Sequence, residues 1–286
     1  MKEYTLYGRE VALRGVEGPV NGPPVLLFHG LCDRWQALRP VLASLSTHWH
    51  LYATDLRGHG MSGRTPGRYL PDDYCRDASE FFTNRLTEPA VLFGHSAGAL
   101  IALRCAAEHP NRVRAVISGD LFCSSQRLAS LIERPESVAY CRQLQRLAAQ
   151  PPDRIALSPL AKRFPTEARR EWAVATSLLA PDVLQHHARG DGVAYMEGFD
   201  MDTVLARVRC PVLLLCGDPA LGATMAEEDV TYARTRLDEG HVARLDGVGH
   251  DLGLFSGSAR PLLRAIDEFL ARVTAREPDD ATPPVR

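Results

Sequence analysis

The sequence predicts an α/β protein: a mostly parallel, twisted sheet with helices on both faces and a helical insertion. Short, continuous apolar runs recur along the chain at Val25–Phe28, Leu51–Thr54, Ala90–Phe93, Val113–Ser118 and Val212–Cys216. They lack the polar alternation of a sheet that is wet on one side, so they fit strands covered on both faces. Longer stretches with helical periodicity separate them, which reads as βαβ units of a doubly wound sheet. The composition agrees. The 286 residues are 45% apolar and 24% charged, ordinary globular values that exclude a collagen, a coiled coil and a disordered chain.

Taken in order, Tyr4–Tyr7 and Val11–Gly15 read as an antiparallel hairpin ahead of the first buried strand. Helices are expected at Trp35–Ser46, Asp73–Leu86 and Ala97–His109, and later at Ala226–Leu237 and Ala259–Ala275. A short strand is expected at His241–Leu245. Between Leu121 and Leu205 the rhythm breaks: there are helical fragments, many arginines and six prolines at 135, 151, 152, 159, 165 and 181. About 85 residues between two core strands is too long for a simple crossover. The expected organisation is therefore a core made of residues 1–120 and 206–276, a helical lid at 121–205, and a polar, Pro-rich tail at 277–286 that is disordered.

Lys plus Arg number 33 and Asp plus Glu 35, for a net charge of −2. Nucleic acid is not the expected partner, because a binder would carry a basic stripe. The start, MKEYTLYGRE, has no apolar run that reads as a signal peptide. No stretch approaches the roughly 18 apolar residues of a membrane span. The seven cysteines are odd in number and form no CxxC pair, so neither a disulfide framework nor a zinc site is expected. A cytoplasmic monomer or homodimer acting on a small molecule, without metal or cofactor, is the expectation.

Ligands of an open α/β sheet bind at the carboxyl ends of its strands. Here those ends carry His29, Asp55, His95-Ser96, Asp120 and Asp218. Gly94-His95-Ser96-Ala97-Gly98 is a G-x-S-x-G placed between a buried strand and a helix. In that setting the serine sits on a sharp turn as a nucleophile, and its neighbours two positions away must be small. A serine hydroxyl needs a base. His250, in Gly247-Val248-Gly249-His250-Asp251, follows a late strand in the order this arrangement requires. His109, His186, His187 and His241 read as surface or helix-lining histidines. Asp251, beside His250, is badly placed to hold the imidazole through its far nitrogen.

With these pieces in order, the chain resembles the α/β-hydrolase superfamily over nearly its full length. The resemblance rests on Phe28-His29-Gly30-Leu31, on Asp55-Leu56-Arg57-Gly58-His59-Gly60-Met61-Ser62, on the turn at Ser96 and on Gly249-His250. It implies the α/β-hydrolase fold and an oxyanion hole made by the backbone N–H groups of Ala97 and Leu31. It also implies a framework role for residues 55–62. Many relatives carry the triad acid three residues past the glycine that ends the strand before the last. That position here holds Ala220, in Gly217-Asp218-Pro219-Ala220. Two candidates remain: Asp218, two residues early, and Asp120, at a position used by lid-bearing dehalogenase-like relatives.

Serine rather than aspartate at the turn implies attack on a carbonyl. A carboxylic ester or lactone is the first expectation. C–C hydrolysis, a cofactor-free perhydrolase or a ligand receptor of the same fold are the alternatives. His29, His95 and Phe122 are expected to border the substrate pocket, with Tyr140, Trp172, Tyr195, Met196 and Phe199 as further apolar candidates. Arg127, Arg134, Arg163, Arg169 and Arg170 either attract an acidic substrate or form a solvated helical face.

Overall fold

The computed structural model describes residues 1–255 and 257–275. Eight strands form one sheet: β1 (Lys2–Tyr7), β2 (Ala12–Glu17), β3 (Pro24–Phe28), β4 (His50–Thr54), β5 (Ala90–His95), β6 (Val113–Gly119), β7 (Val212–Cys216) and β8 (Gly240–Arg244). Their order is β1-β2-β4-β3-β5-β6-β7-β8. β1 pairs with β2, and β2 with β4, antiparallel. Every other ladder is parallel. The predicted hairpin is thus present, and the chain is doubly wound from β3 onward.

The uninterrupted apolar runs have the expected cause. Every residue of β3, β5 and β7 is buried. Alternate side chains feed two different cores, as period-two geometry requires. Val25, Leu27, Val91, Phe93, Leu213 and Leu215 point to one face and meet α1 (Arg39–Leu45) and α12 (Arg260–Thr274). Leu26, Phe28, Leu92, Val116 and Leu214 point to the other. There they meet α2 (Pro71–Arg85), α3 (Ala97–Glu108) and α11 (Glu227–Arg234).

Between β6 and β7 lie α4 (Ser125–Glu133), α5 (Pro135–Ala148), α6 (Pro152–Ala156), α7 (Thr166–Leu178), α8 (Gln185–Arg189), α9 (Gly192–Tyr195) and α10 (Met201–Leu205). The prolines that interrupted the periodicity open these helices. Pro135 and Pro152 are the first residues of α5 and α6, and Pro165 caps α7. A missing N–H costs nothing in the first turn, whose N–H groups have no intrahelical acceptor. The same effect divides the helix expected at Trp35–Ser46. It begins as a 3₁₀ turn, Trp35–Leu38, and becomes α-helical at Arg39, with Pro40 in the first turn. The tail expected at 277–286 lies outside the described residues.

Candidate active site

β5 runs straight into α3, and Ser96 forms the corner at φ +52°, ψ −123°. That φ disfavours a side chain and stores of the order of 1–3 kcal/mol. Crossing backbones hold it. A Cβ on Gly94 would lie 2.1 Å from the Gly98 carbonyl oxygen, and one on Gly98 would lie 2.4 Å from that of Phe28. Only glycine fits either place, which is the physical content of the motif. The Ser96 N–H donates to the Gly119 carbonyl at 2.8 Å. The Ser96 hydroxyl is left at the carboxyl end of β5.

Two groups from distant parts of the chain meet it. His250 Nε2 is 3.0 Å from Ser96 Oγ, and His250 Nδ1 is 2.7 Å from Asp120 Oδ2. His95 Nε2 donates to the His250 carbonyl at 2.7 Å and so anchors the loop that carries the imidazole. Asp120 is fully buried at φ +45°, just past β6. Its Oδ1 accepts the Gly217 N–H at 3.1 Å and its Oδ2 the Thr224 N–H at 2.6 Å. Thr224 Oγ1 also lies 2.9 Å from His250 Nδ1. Thr224 and its hydroxyl had no signal in the sequence, since nothing fixes its spacing from Asp120 or His250.

Asp218 is not part of this cluster. Its Oδ1 accepts the Ala220 N–H at 2.8 Å and caps the 3₁₀ turn Pro219–Leu221. Side-chain direction decides between the two carboxylates, Asp120 reaching His250 Nδ1 at 2.7 Å while Asp218 is turned into its own cap. β6 is the direct neighbour of β5, with Gly119 opposite His95, whereas β7 lies one strand further out. Asp120 therefore sits one strand from Ser96, and Asp218 sits two.

The other expected residues separate into supports and core. Gly30 brings its loop against the corner: a Cβ there would be 3.3 Å from Ser96 Cβ and 3.0 Å from His95 Nδ1. Leu31 follows directly, half-buried, and Ala97 begins α3 with an N–H that has no place in the helix ladder. His29 does not border a pocket. It is fully buried, its Nδ1 donates to the Gly30 carbonyl at 2.8 Å and its Nε2 accepts the Leu56 N–H at 3.0 Å. His59 does the same from the facing loop, with Nδ1 on the Arg57 carbonyl at 2.8 Å and Nε2 on the Cys32 N–H at 3.2 Å. The pair of rings, 5.2 Å apart, pegs residues 30–32 to residues 55–59. Burial lowers the pKa of His29 to about 4 and that of His59 to about 3. His95 is likewise buried and lowered to about 4, with the charge of His250 as the second cause. All three are neutral at pH 7, which suits rings that donate through one nitrogen.

Phe122 is also a correction. It is fully buried and its ring packs on Tyr232 at 6.0 Å, so it belongs to the core under α11. Asp55 acts as framework, accepting the N–H groups of Trp35 at 2.8 Å and Met61 at 2.9 Å. All seven cysteines are unpaired. Among the described residues no group of three or more His, Cys, Asp or Glu side chains converges to hold a metal ion, and no helix is long and apolar enough to cross a membrane.

A model of the alpha/beta hydrolase family matches residues 25–270. The chain belongs to that family. Among curated α/β-hydrolase relatives, the pimeloyl-[acyl-carrier protein] methyl ester esterase of Xanthomonas campestris pv. campestris strain B100 is 29% identical over 263 residues, 88% of this chain and 96% of that one. The 2-(acetamidomethylene)succinate hydrolase of Mesorhizobium japonicum is 34% identical over 100 residues, which span 35% of this chain and 36% of the relative. Of solved structures, that of E-2-(acetamidomethylene)succinate hydrolase superposes with a TM-score of 0.73 at 23% identity, covering 94% of this chain and 98% of its own. The superposition shows the α/β-hydrolase fold.

Proposed function

We propose that this α/β hydrolase is a serine esterase that cleaves a carboxylic ester or lactone of a small molecule through an acyl-enzyme on Ser96. One observation carries the reading. Ser96, His250 and Asp120 stand in hydrogen-bonded series at 3.0 and 2.7 Å, with the serine on a turn that exposes its hydroxyl. The Xanthomonas relative, named as a methyl ester esterase, supports it.

In this reading His250 Nε2 takes the Ser96 proton as Oγ attacks the substrate carbonyl. Asp120 steadies the resulting imidazolium through Nδ1 and keeps the neutral ring in the tautomer that leaves Nε2 free. The N–H groups of Ala97 and Leu31 receive the negative charge that develops on the carbonyl oxygen. Collapse breaks the ester C–O bond, and His250 returns the proton to the departing alcohol. A water molecule, deprotonated by the same nitrogen, then releases the acid and restores Ser96. Burial of the Asp120 carboxylate strengthens its hold on the imidazole, because little water competes for it. Helices α4–α10 act as the lid over this end of the sheet.

A fluorophosphonate probe followed by a panel of p-nitrophenyl esters and lactones tests the assignment. Ser96→Ala is expected to lose both labelling and turnover. Labelling that survives the substitution refutes Ser96 as the nucleophile.

A further inference from the structure

Four buried or half-buried arginines are committed to carboxylates. Arg34 pairs with Glu171 at 2.5 Å, Arg57 with Asp77 at 2.6 Å, Arg104 with Glu108 at 2.6 Å and Arg127 with Asp229 at 2.6 Å. The last pair accounts for one arginine that the sequence offered to an acidic ligand. Arg163 and Arg169 differ: among the described residues neither has a carboxylate within ion-pair distance. Arg163 is exposed and Arg169 half-buried, but both guanidinium groups are held in place. Arg163 Nη2 donates to the Tyr140 hydroxyl at 2.8 Å, and its guanidinium lies 4.7 Å over the Tyr140 ring and 5.6 Å over that of Phe164. Arg169 Nη2 donates to the Phe164 carbonyl at 3.2 Å, while its Nε is buried with no acceptor. A buried charged donor left unpaired is costly unless a ligand satisfies it.

Both arginines converge on Phe164, and Phe164 abuts the catalytic loop. Its ring packs edge-on against Phe255 at 5.6 Å, five residues past His250, and lies 5.2 Å from Trp172. Tyr140 and Leu31 pack against the same core cluster, which includes Cys32 on the loop that follows Gly30. Asp33 Oδ2 in turn is 3.3 Å from where a Gly30 Cβ would stand, the same distance as Ser96 Cβ. Tyr140, Arg163, Phe164 and Phe255 thus form a wall that reaches the nucleophile loop at one end and the histidine loop at the other. Two of the nearby acids do not cancel its charge, and a third, Asp251, accepts the Gly253 and Phe255 N–H groups. Glu171 is taken by Arg34 and Arg39. Burial, with Asp251 adding to it, pushes Asp33 up to about 8, so it is uncharged at neutral pH.

We propose that Arg163 and Arg169 form a carboxylate subsite on the lid side of the cleft, and that the preferred substrates are monoesters of dicarboxylic acids. The ester carbonyl meets Ser96 while the free carboxylate meets the guanidinium groups, in the charge-assisted geometry that suits arginine. The reaction is hydrolysis only: the ester C–O bond breaks, water supplies the oxygen and protons, and a diacid and an alcohol leave. This inference rests on the serine-esterase reading.

The test compares monomethyl and dimethyl esters of succinic, adipic and suberic acids on the wild type and on Arg163→Gln, Arg169→Gln and Arg169→Lys. The wild type is expected to favour the monoester by about tenfold or more in kcat/KM for at least one chain length. That preference falls about tenfold in each Gln variant, mainly through KM, and is partly kept with lysine. Free diacid is expected to slow fluorophosphonate labelling of the wild type, and to do so more weakly in the variants. Should Arg169→Gln fail to fold, Arg163→Gln and Arg169→Lys carry the comparison. Dimethyl esters preferred at every length, or variants that leave the monoester preference unchanged, overturn the subsite while the esterase reading stands. A wild type that neither labels nor turns over any ester removes both.

Discussion

Replacing Asp120 by Asn removes the carboxylate charge 2.7 Å from His250 Nδ1 without changing the shape of the side chain. At that distance, with an effective dielectric constant of about 20, a unit charge pair is worth about 6 kcal/mol. The His250 side chain is 37% exposed, so solvent lowers the figure. The amide must also choose an orientation. With its NH₂ toward Gly217 it keeps the acceptor facing Thr224 and His250 but loses the 3.1 Å bond from the Gly217 N–H. With its NH₂ toward His250 it faces the Thr224 N–H, donor to donor, and drives the imidazole into the tautomer that cannot take the Ser96 proton. By analogy with serine proteases, the loss in kcat is about 10⁴, or about 5 kcal/mol. The orphaned donor costs a further 1–3 kcal/mol or so of stability, visible as a lower Tm. The assay is kcat/KM on p-nitrophenyl butyrate together with the fluorophosphonate labelling rate, on protein shown by thermal melting to be folded. Asp218→Asn, which touches only the cap on Ala220, is expected to stay within about threefold of wild type. A folded Asp120→Asn that loses less than about 30-fold, or an Asp218→Asn that loses as much, refutes the argument.

Three further outcomes follow from the same geometry. Ser96→Gly relieves the backbone at φ +52° and is expected to raise stability by about 1 kcal/mol while abolishing turnover, a rise of roughly 2–4 °C in Tm; an unchanged or lower Tm means the corner holds no strain. Gly98→Ala drives a Cβ to 2.4 Å from the Phe28 carbonyl oxygen and is expected to cost about 3 kcal/mol or more, so a wild-type Tm would contradict the crossing of α3 and β3. Part of the acid sensitivity comes from His29, His59 and His95, whose pKa values burial lowers from 6.5 to about 4, about 3 and about 4. The unfolded chain takes these protons first, so stability is complete above about pH 6.5 and falls as the pH drops toward 4, by something of the order of 3 kcal/mol per histidine. Urea midpoints that do not change between pH 7 and 4.5 would show that these rings are not held neutral.

Much of the architecture was legible because it is written in short-range patterns. The buried strands announce themselves as apolar runs of strand length, and β3, β4, β5, β6 and β7 stand where those runs are. Element ends are harder, since a 3₁₀ turn and an α-helix bury the same side chains; hence the broken start at Trp35–Leu38. Phe122 reads as pocket or core with equal ease, because burial is a property of what surrounds a residue. His59 lies within the framework segment 55–62, but its bond to the Cys32 N–H depends on two loops meeting 27 residues apart.

By itself the sequence determined the corner at Ser96. Glycines at 94 and 98 let a strand, a tight turn and a helix cross so closely; the constraint on Gly94 acts within the turn itself, while Gly98 also answers to the Phe28 carbonyl of β3. Tertiary structure decided the partners. Asp120 rather than Asp218 faces His250 because the fold brings the loop after β6 to the histidine loop and turns Asp218 into its own cap, a long-range arrangement on which local spacing is silent. The same holds for Thr224 and for Arg163 and Arg169, whose meaning comes from neighbours beyond their own stretch of chain.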